Sequence, residues 1–310
     1  MEIQEDISLT IKKREYVVDY LRKRSSRLAI ALWEEEKDFP FLCLDHLKMS
    51  EALGFPIEQV TPVLQQVKEN CLKDEKQLDE IIQTGYFDYT VFEDEIHELH
   101  VIQKESTTPV GGGTFGPLTV ASGIFGIENL MRYVKRKPEF VKRFVGYITN
   151  FLVELAKQEK EEGADFFWIA EPLASVVSPN NFWEFSGKYL KQIFEAFQGP
   201  GCLHVCGPTF KHTQAMVDTG AEVLSIDSMT DVKACLQIVP KHVVILGNIS
   251  PIDLQLESKE YIYKKCIDLL EEVEGYDNFI LSTGCNVIDG TPKENVAQLY
   301  KAVEDFGSFS

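Results

Sequence analysis

The chain has 310 residues, 44% of them hydrophobic and 26% charged, a composition that suits a soluble globular protein of one large domain or two ordinary ones. Its 49 acidic against 31 basic side chains leave a formal charge of -18, spread along the chain, a field that repels a phosphate backbone and argues against nucleic acid as a partner. The amino terminus, MEIQEDISLTIKKREY, lacks the apolar core of a signal peptide and no later run reaches the length of a membrane span; a cytoplasmic protein with reduced cysteines and no membrane partner is expected.

Residues 1–105 read as a helical and irregular cap that contributes to the main fold. DISLTIKKREYVVDYLRKRSS has apolar residues at helical spacing, LAIALW is a short strand or buried helix turn, and SEALGFPIEQVTPVLQQVKENCLKD reads as helices interrupted by Gly-Phe-Pro and Pro62. EIHELHVIQKE alternates and is expected to form half of a hairpin, with His97 and His100 on opposite, solvated faces rather than in one ligand set.

Residues 106–310 carry a regular rhythm. The short apolar runs GTFGPLTVA, ADFFWIAEP, GCLHVCG, AEVLSIDS, VVILGNIS and NFILSTGC alternate with amphipathic stretches such as PEFVKRFVGYITNFLVELAKQEKEEG and SKEYIYKKCIDLLEEVEG. Pro138 and Glu139 suit a first helical turn, and Gly163 and Gly275 suit stops. Strand and helix in alternation give the α/β class, a parallel sheet covered by helices; with a strand from the amino-terminal third the count approaches a (β/α)8 TIM barrel. An open doubly wound sheet is the alternative. The barrel is favoured because a polar residue closes each run, namely Glu171, His204 with Cys206, Asp227, Asn248 and Cys285, and in a barrel those ends converge on one mouth.

GGGTFG satisfies G-x-G-x-x-G through Gly111, Gly113 and Gly116, but a dinucleotide fingerprint follows a strand and opens a helix, and here Pro117 follows. A turn, or close backbone approach at the mouth, explains the glycines better, and Gly113 and Phe115 are the candidate cofactor-binding positions.

His204 and Cys206 are two apart, so on a strand both side chains point the same way, roughly 7 Å along the chain. Imidazole and thiolate are both good zinc ligands, and Cys285, at the matching end of the last run, supplies a third. Three protein ligands leave one tetrahedral position open, the mark of a catalytic site. Cys202 shares the parity but sits deeper and reads as a small hydrophobe; Cys43, Cys71, Cys235 and Cys266 fall in cap or helical segments. Glu171, after the apolar run FFWIA, is costly to bury without a partner and is a candidate fourth ligand or proton acceptor, or else a charge at a helix N-terminus; Asp227 and Asn248 are candidates to touch ligand or to cap loops.

From GGGTFGPLTVASGIFGIENLMRYVKRKPEFVKRFV through IAEPLAS, HVCG, DTGAEVLSID, ILGNISP and STGCNVIDGTPKENV, the chain resembles the uroporphyrinogen decarboxylase superfamily. Within it, the likeness is to the zinc-dependent, corrinoid-linked methyltransferases, whose His-x-Cys and distant Gly-Cys fall here on His204, Cys206 and Cys285. The branch commonly has Asp-Pro where this chain has Glu171-Pro172, and the amino-terminal third lacks the Arg-rich segment of a true uroporphyrinogen decarboxylase. The resemblance implies zinc as cofactor, methylcobalamin or another corrinoid as co-substrate, and a separate corrinoid protein as partner. A zinc-activated thiol would take a methyl group from methyl-cobalt. The alternative is the opposite direction, with zinc polarising a methyl ether so that its methyl passes to cobalt(I), for which Phe115, Phe167 and Trp168 would suit an aromatic donor. A tetrapyrrole decarboxylase, or a binding protein without turnover, is a more distant reading.

Overall fold

The computed structural model describes residues 41–43, 53, 72, 74–85, 87–105 and 109–309. The expected helix before residue 41, the LAIALW run, Pro62 and Cys71 lie outside the described residues. In chain order the elements are β1 (Phe41–Cys43), α1 (Glu75–Thr84), α2 (Glu93–Glu105), β2 (Gly111–Phe115), α3 (Pro117–Phe125), α4 (Ile127–Arg136), α5 (Pro138–Glu161), β3 (Phe166–Ala170), α6 (Pro179–Phe182), α7 (Lys188–Phe197), β4 (Gly201–Val205), α8 (Thr213–Asp218), β5 (Val223–Ile226), α9 (Val232–Ile238), β6 (Val244–Ile249), α10 (Pro251–Leu256), α11 (Lys259–Glu272), β7 (Phe279–Thr283) and α12 (Lys293–Phe309).

The strands form one sheet in the order β1 to β7, every neighbouring pair parallel. A doubly wound sheet reverses its order at a switch point; this one does not, and its strictly sequential order is that of a TIM-type barrel. Register and the two-residue period of a strand then sort the side chains. Trp168 pairs with Cys202, His204 with Ser225, Ser225 with Leu246 and Asn248 with Ser282, so these share the inner face. The intervening Phe167, Ile169, Leu203, Val205, Leu224, Ile226 and Ile245 face the helices and join the main hydrophobic core.

Helix α5 shows how that core is covered. Pro138 occupies its first turn, where no amide hydrogen is needed, and the chain stops at Gly163, whose φ of +106° a side chain would strain. Between them Phe140, Phe144, Ile148, Phe151 and Leu155 form a buried stripe, each worth about 1.5–3 kcal/mol on removal from water.

Three expectations are corrected. EIHELHVIQKE forms helix α2 instead of a hairpin, because Ile96, Leu99 and Ile102 recur every third residue and pack on the core as one stripe. His97 and His100 consequently share a side, their rings 6.5 Å apart, with His100 Nδ1 3.1 Å from Glu162. GTFGPLTVA is no continuous strand: β2 ends at Phe115, Gly116 turns the chain and Pro117 opens α3. Cys43 lies in strand β1 instead of a cap segment. Pro138, Gly163 and Gly275 stand at helix ends as read.

Candidate metal centre

The alternation of β4 aims Cys202 and His204 inward, and the next inward residue, Cys206, stands just past the end of the strand. Cys285 follows β7 by two residues. The donor atoms of His204, Cys206 and Cys285 all lie within 4.8 Å of one another. His204 Nε2 is 3.1 Å from Cys206 Sγ and 3.8 Å from Cys285 Sγ, and the two sulfurs are 3.8 Å apart. Bonds of about 2.3 Å at a tetrahedral angle place two sulfurs on one zinc about 3.8 Å apart, so the sulfur pair is already spaced for that ion. Among the described residues this is the one group of three or more His, Cys, Asp or Glu side chains with metal-ligand spacing.

At 3.8 Å, a negative charge on either sulfur disfavours one on the other. The hydrogen bond from Cys206, and then His204, push the Cys285 thiol down to about 4, while the same contact with Cys285, burial and the charge of Asp227 push Cys206 up. A cation is what allows both to be thiolates at once.

The surroundings hold the ring. His204 is 2% exposed, its Nδ1 lies 3.0 Å from Ser225 Oγ on the next strand, and Trp168 stacks beside it, centroids 6.4 Å apart and planes 17° apart. With Nδ1 bonded to Ser225, Nε2 is the nitrogen presented to the sulfurs. Ser225 was not singled out from sequence; its only signal is its pairing opposite His204, which requires strand register. Asp227 follows β5, and its Oδ1 accepts from Met229 N and Ser228 Oγ, both at 3.1 Å. Asn248 Nδ2 donates to the carbonyls of Asp227 at 3.0 Å and Thr230 at 2.6 Å, so its amide fastens a loop.

Glu171 is not in the sulfur-imidazole cluster. Wholly buried, its carboxylate accepts from Leu118 N at 3.1 Å, Thr119 N at 2.7 Å, Ser186 Oγ at 2.8 Å and the Thr119 hydroxyl. Pro117 needs no acceptor and Gly116 has no side chain to offer, so Glu171 reaches across from β3 to cap α3. A Cβ on Gly116 would collide with that carboxylate, which explains the glycine. Burial pushes Glu171 up, opposed by the bonds from Thr119, Ser186 and Leu118.

Gly113 pairs with Trp168 inside β2, and half-buried Phe115 pairs with Ala170 at the strand end. The first three glycines of GGGTFG are thus strand residues, and two of them are packed too tightly for side chains: a Cβ at Gly111 would strike the Phe166 ring and one at Gly112 the Glu159 carboxylate. Phe167 faces outward against Phe197, 5.2 Å away, whereas Trp168 shares the inward face of β3 with Phe166 and is the one stacked beside His204. Cys202, Cys235 and Cys266 are buried thiols.

A sequential parallel barrel with a sulfur, sulfur and imidazole set at the carboxyl ends of its strands defines the class of fold and site. The family model described as Uroporphyrinogen decarboxylase (URO-D) matches residues 37–306, and the chain belongs to that family. Over 192 residues it is 30% identical to a methylated-thiol–coenzyme M methyltransferase of Methanosarcina mazei, a match covering 61% of this chain and 51% of that protein. It is 28% identical to a methylcobamide:CoM methyltransferase MtaA of Methanosarcina barkeri, over 64% of this chain and 58% of the relative. Against uroporphyrinogen decarboxylase 2, chloroplastic, of Arabidopsis thaliana the figures are 27%, 61% and 50%. The matched segment thus spans about half to three fifths of each relative. A solved methyltransferase from Methanosarcina mazei shares the fold, with TM-score 0.73 at 24% identity over 96% of this chain and 91% of that one. No helix among the described residues is long and apolar enough to cross a membrane.

Proposed function

We propose that this chain is a zinc-dependent methyltransferase that moves a methyl group from a methyl-corrinoid, carried by a separate corrinoid protein, to a small thiol. The observation that carries the reading is the 3.8 Å spacing of Cys206 and Cys285 beside His204 Nε2 at the barrel mouth. These three residues would hold the ion, and zinc bound there would supply a Lewis acid that lowers the pKa of an incoming thiol while leaving its sulfur nucleophilic.

The chain's own residues do the rest. Ser225 keeps His204 Nε2 facing the sulfurs, and Trp168 stacks beside the ring and limits its rotation. Asp227 is the nearby carboxylate that bears on Cys206; its Oδ1 is bonded within its own turn, and Oδ2 is assigned to receive the proton of the incoming thiol. The four bonds of Glu171 to α3 and Ser186 support a capping role for it over that of fourth ligand or base. In the overall reaction the acceptor's sulfur gains the methyl carbon, and the cobalt–carbon bond breaks with its electron pair left on cobalt. The names of the Methanosarcina relatives support coenzyme M as the first thiol to try.

The test is metal analysis together with demethylation of methylcobalamin, followed by its visible spectrum, across a panel of thiols. About one zinc per chain, lost in Cys206→Ser, with thiol-dependent demethylation, is the expected result. Wild-type protein that holds no metal, or turnover indifferent to thiol, overturns the reading; turnover only with methoxylated aromatics and cob(I)alamin reverses its direction.

A further inference from the structure

Between the loops that bear Cys206 and Cys285 stands the turn Asp227–Thr230, which joins β5 to α9. The turn is stiff. Thr230 N donates to Asp227 O at 2.9 Å, the Asp227 carboxylate binds Ser228 and Met229, and Asn248 ties both ends down to β6 through the carbonyls of Asp227 and Thr230. On one side the buried Thr230 hydroxyl grips the β4 loop just after Cys206: it donates to Gly207 O at 3.1 Å and accepts from Thr209 N at 2.9 Å, with Thr209 Oγ1 3.2 Å away. On the other side Gly284, immediately before Cys285, lies flat on the same turn. A Cβ there would run into Ser228 N and come within 3.1 Å of the Asp227 carbonyl carbon, while Gly284 N is anchored to Ile249 O at 2.8 Å.

We propose that the Asp227–Thr230 turn is a spacer that sets the separation of the two sulfurs, with Thr230 and Gly284 as positioning residues for Cys206 and Cys285. The inference rests on the metal-site reading above and extends it to residues that act on the ligands through backbone. Each cysteine sits on a loop past its strand, where strand pairing no longer fixes it; the turn between them supplies the missing constraint. Loosening the Thr230 grip frees the Cys206 loop, and a side chain at 284 wedges the Cys285 loop away, so both changes alter one distance from opposite sides.

The test uses the full chain stripped of metal and titrated with Co2+, reading the thiolate-to-cobalt charge-transfer and d–d bands, with a competing chromophoric chelator for affinity and unfolding of the metal-free protein in parallel. Thr230→Val keeps the shape and removes the hydroxyl; Thr230→Ser keeps the hydroxyl. We expect Thr230→Val and Gly284→Ala to weaken Co2+ binding by about 10–100-fold with altered d–d bands, as loss of a ligand-orienting partner does, and Thr230→Ser to retain wild-type spectrum and affinity. Folded Thr230→Val and Gly284→Ala proteins with wild-type affinity and spectrum overturn the proposal. Should Thr230→Val not fold, Gly284→Ala decides from the other loop. Wild-type protein that takes up no Co2+ overturns the underlying metal-site reading, and the spacer with it.

Discussion

His204 and Ser225 stand opposite each other across β4 and β5, and the imidazole Nδ1 meets the serine hydroxyl at 3.0 Å. The bond selects the tautomer that leaves Nε2 for a metal, so Ser225→Ala should leave the fold intact and weaken metal binding by roughly 10-fold, the low end for such partners. Chelator competition against the wild type measures it; unchanged affinity would show that packing against Trp168 alone orients the ring.

Glu171 and the start of α3 make a second such pairing. Glu171→Gln puts an amide where four donors converge, leaving at least one buried donor unmatched at a cost of about 1–3 kcal/mol. Urea unfolding should show that loss while zinc per folded chain stays at the wild-type value. Loss of zinc from folded protein would return Glu171 to the metal.

Glu159 gives a pH dependence. Its side chain projects from α5 onto Gly112, wholly buried, with neither oxygen hydrogen-bonded; burial pushes its pKa well above the usual carboxylate range, and the Gly113 amide, short of hydrogen-bond geometry, offsets little. A folded pKa above the unfolded one means that the native state holds this proton more tightly, so stability is full below the unfolded pKa and declines as pH rises toward the folded one. Glu159→Gln should therefore match the wild type near pH 4 and exceed it at pH 7 by on the order of 1 kcal/mol, a rise of roughly 1–2 °C in Tm. An advantage that did not change with pH would refute this account.

The cysteines should divide by depth. Cys202, 1% exposed and two residues below His204, packs as a small apolar group, so Cys202→Ala should cost about 1 kcal/mol and leave zinc content unchanged. Cys285→Ser should release the metal. Thiol titration and elemental analysis of the two variants separate them.

Much of this site is written in strand ends. His204 and Cys206 share parity, and each run after residue 160 ends in a polar residue, which is enough to infer convergence at a barrel mouth. What sequence did not reveal depends on tertiary partners. The hydrogen-bond partners of Glu171 are hidden from sequence because the donors, Leu118 and Thr119, lie more than fifty positions upstream on a helix whose own cap is a glycine. Ser225 and Thr230 are ordinary residues until register and loop packing set them beside His204 and Gly207. EIHELHVIQKE failed for a different reason: its apolar residues every third position fit a helix stripe as well as its alternation fits a strand, and packing against the core decides.

Cys285 arrives just past the last strand of the sheet, 81 positions after His204. A nascent chain still lacking β7 therefore offers an ion only one imidazole and one thiol from this set, and gains the third donor when the final strand docks. If the proposed site takes an ion, capture would in this way be deferred until β7 has docked, and a loaded site would report that this strand is home.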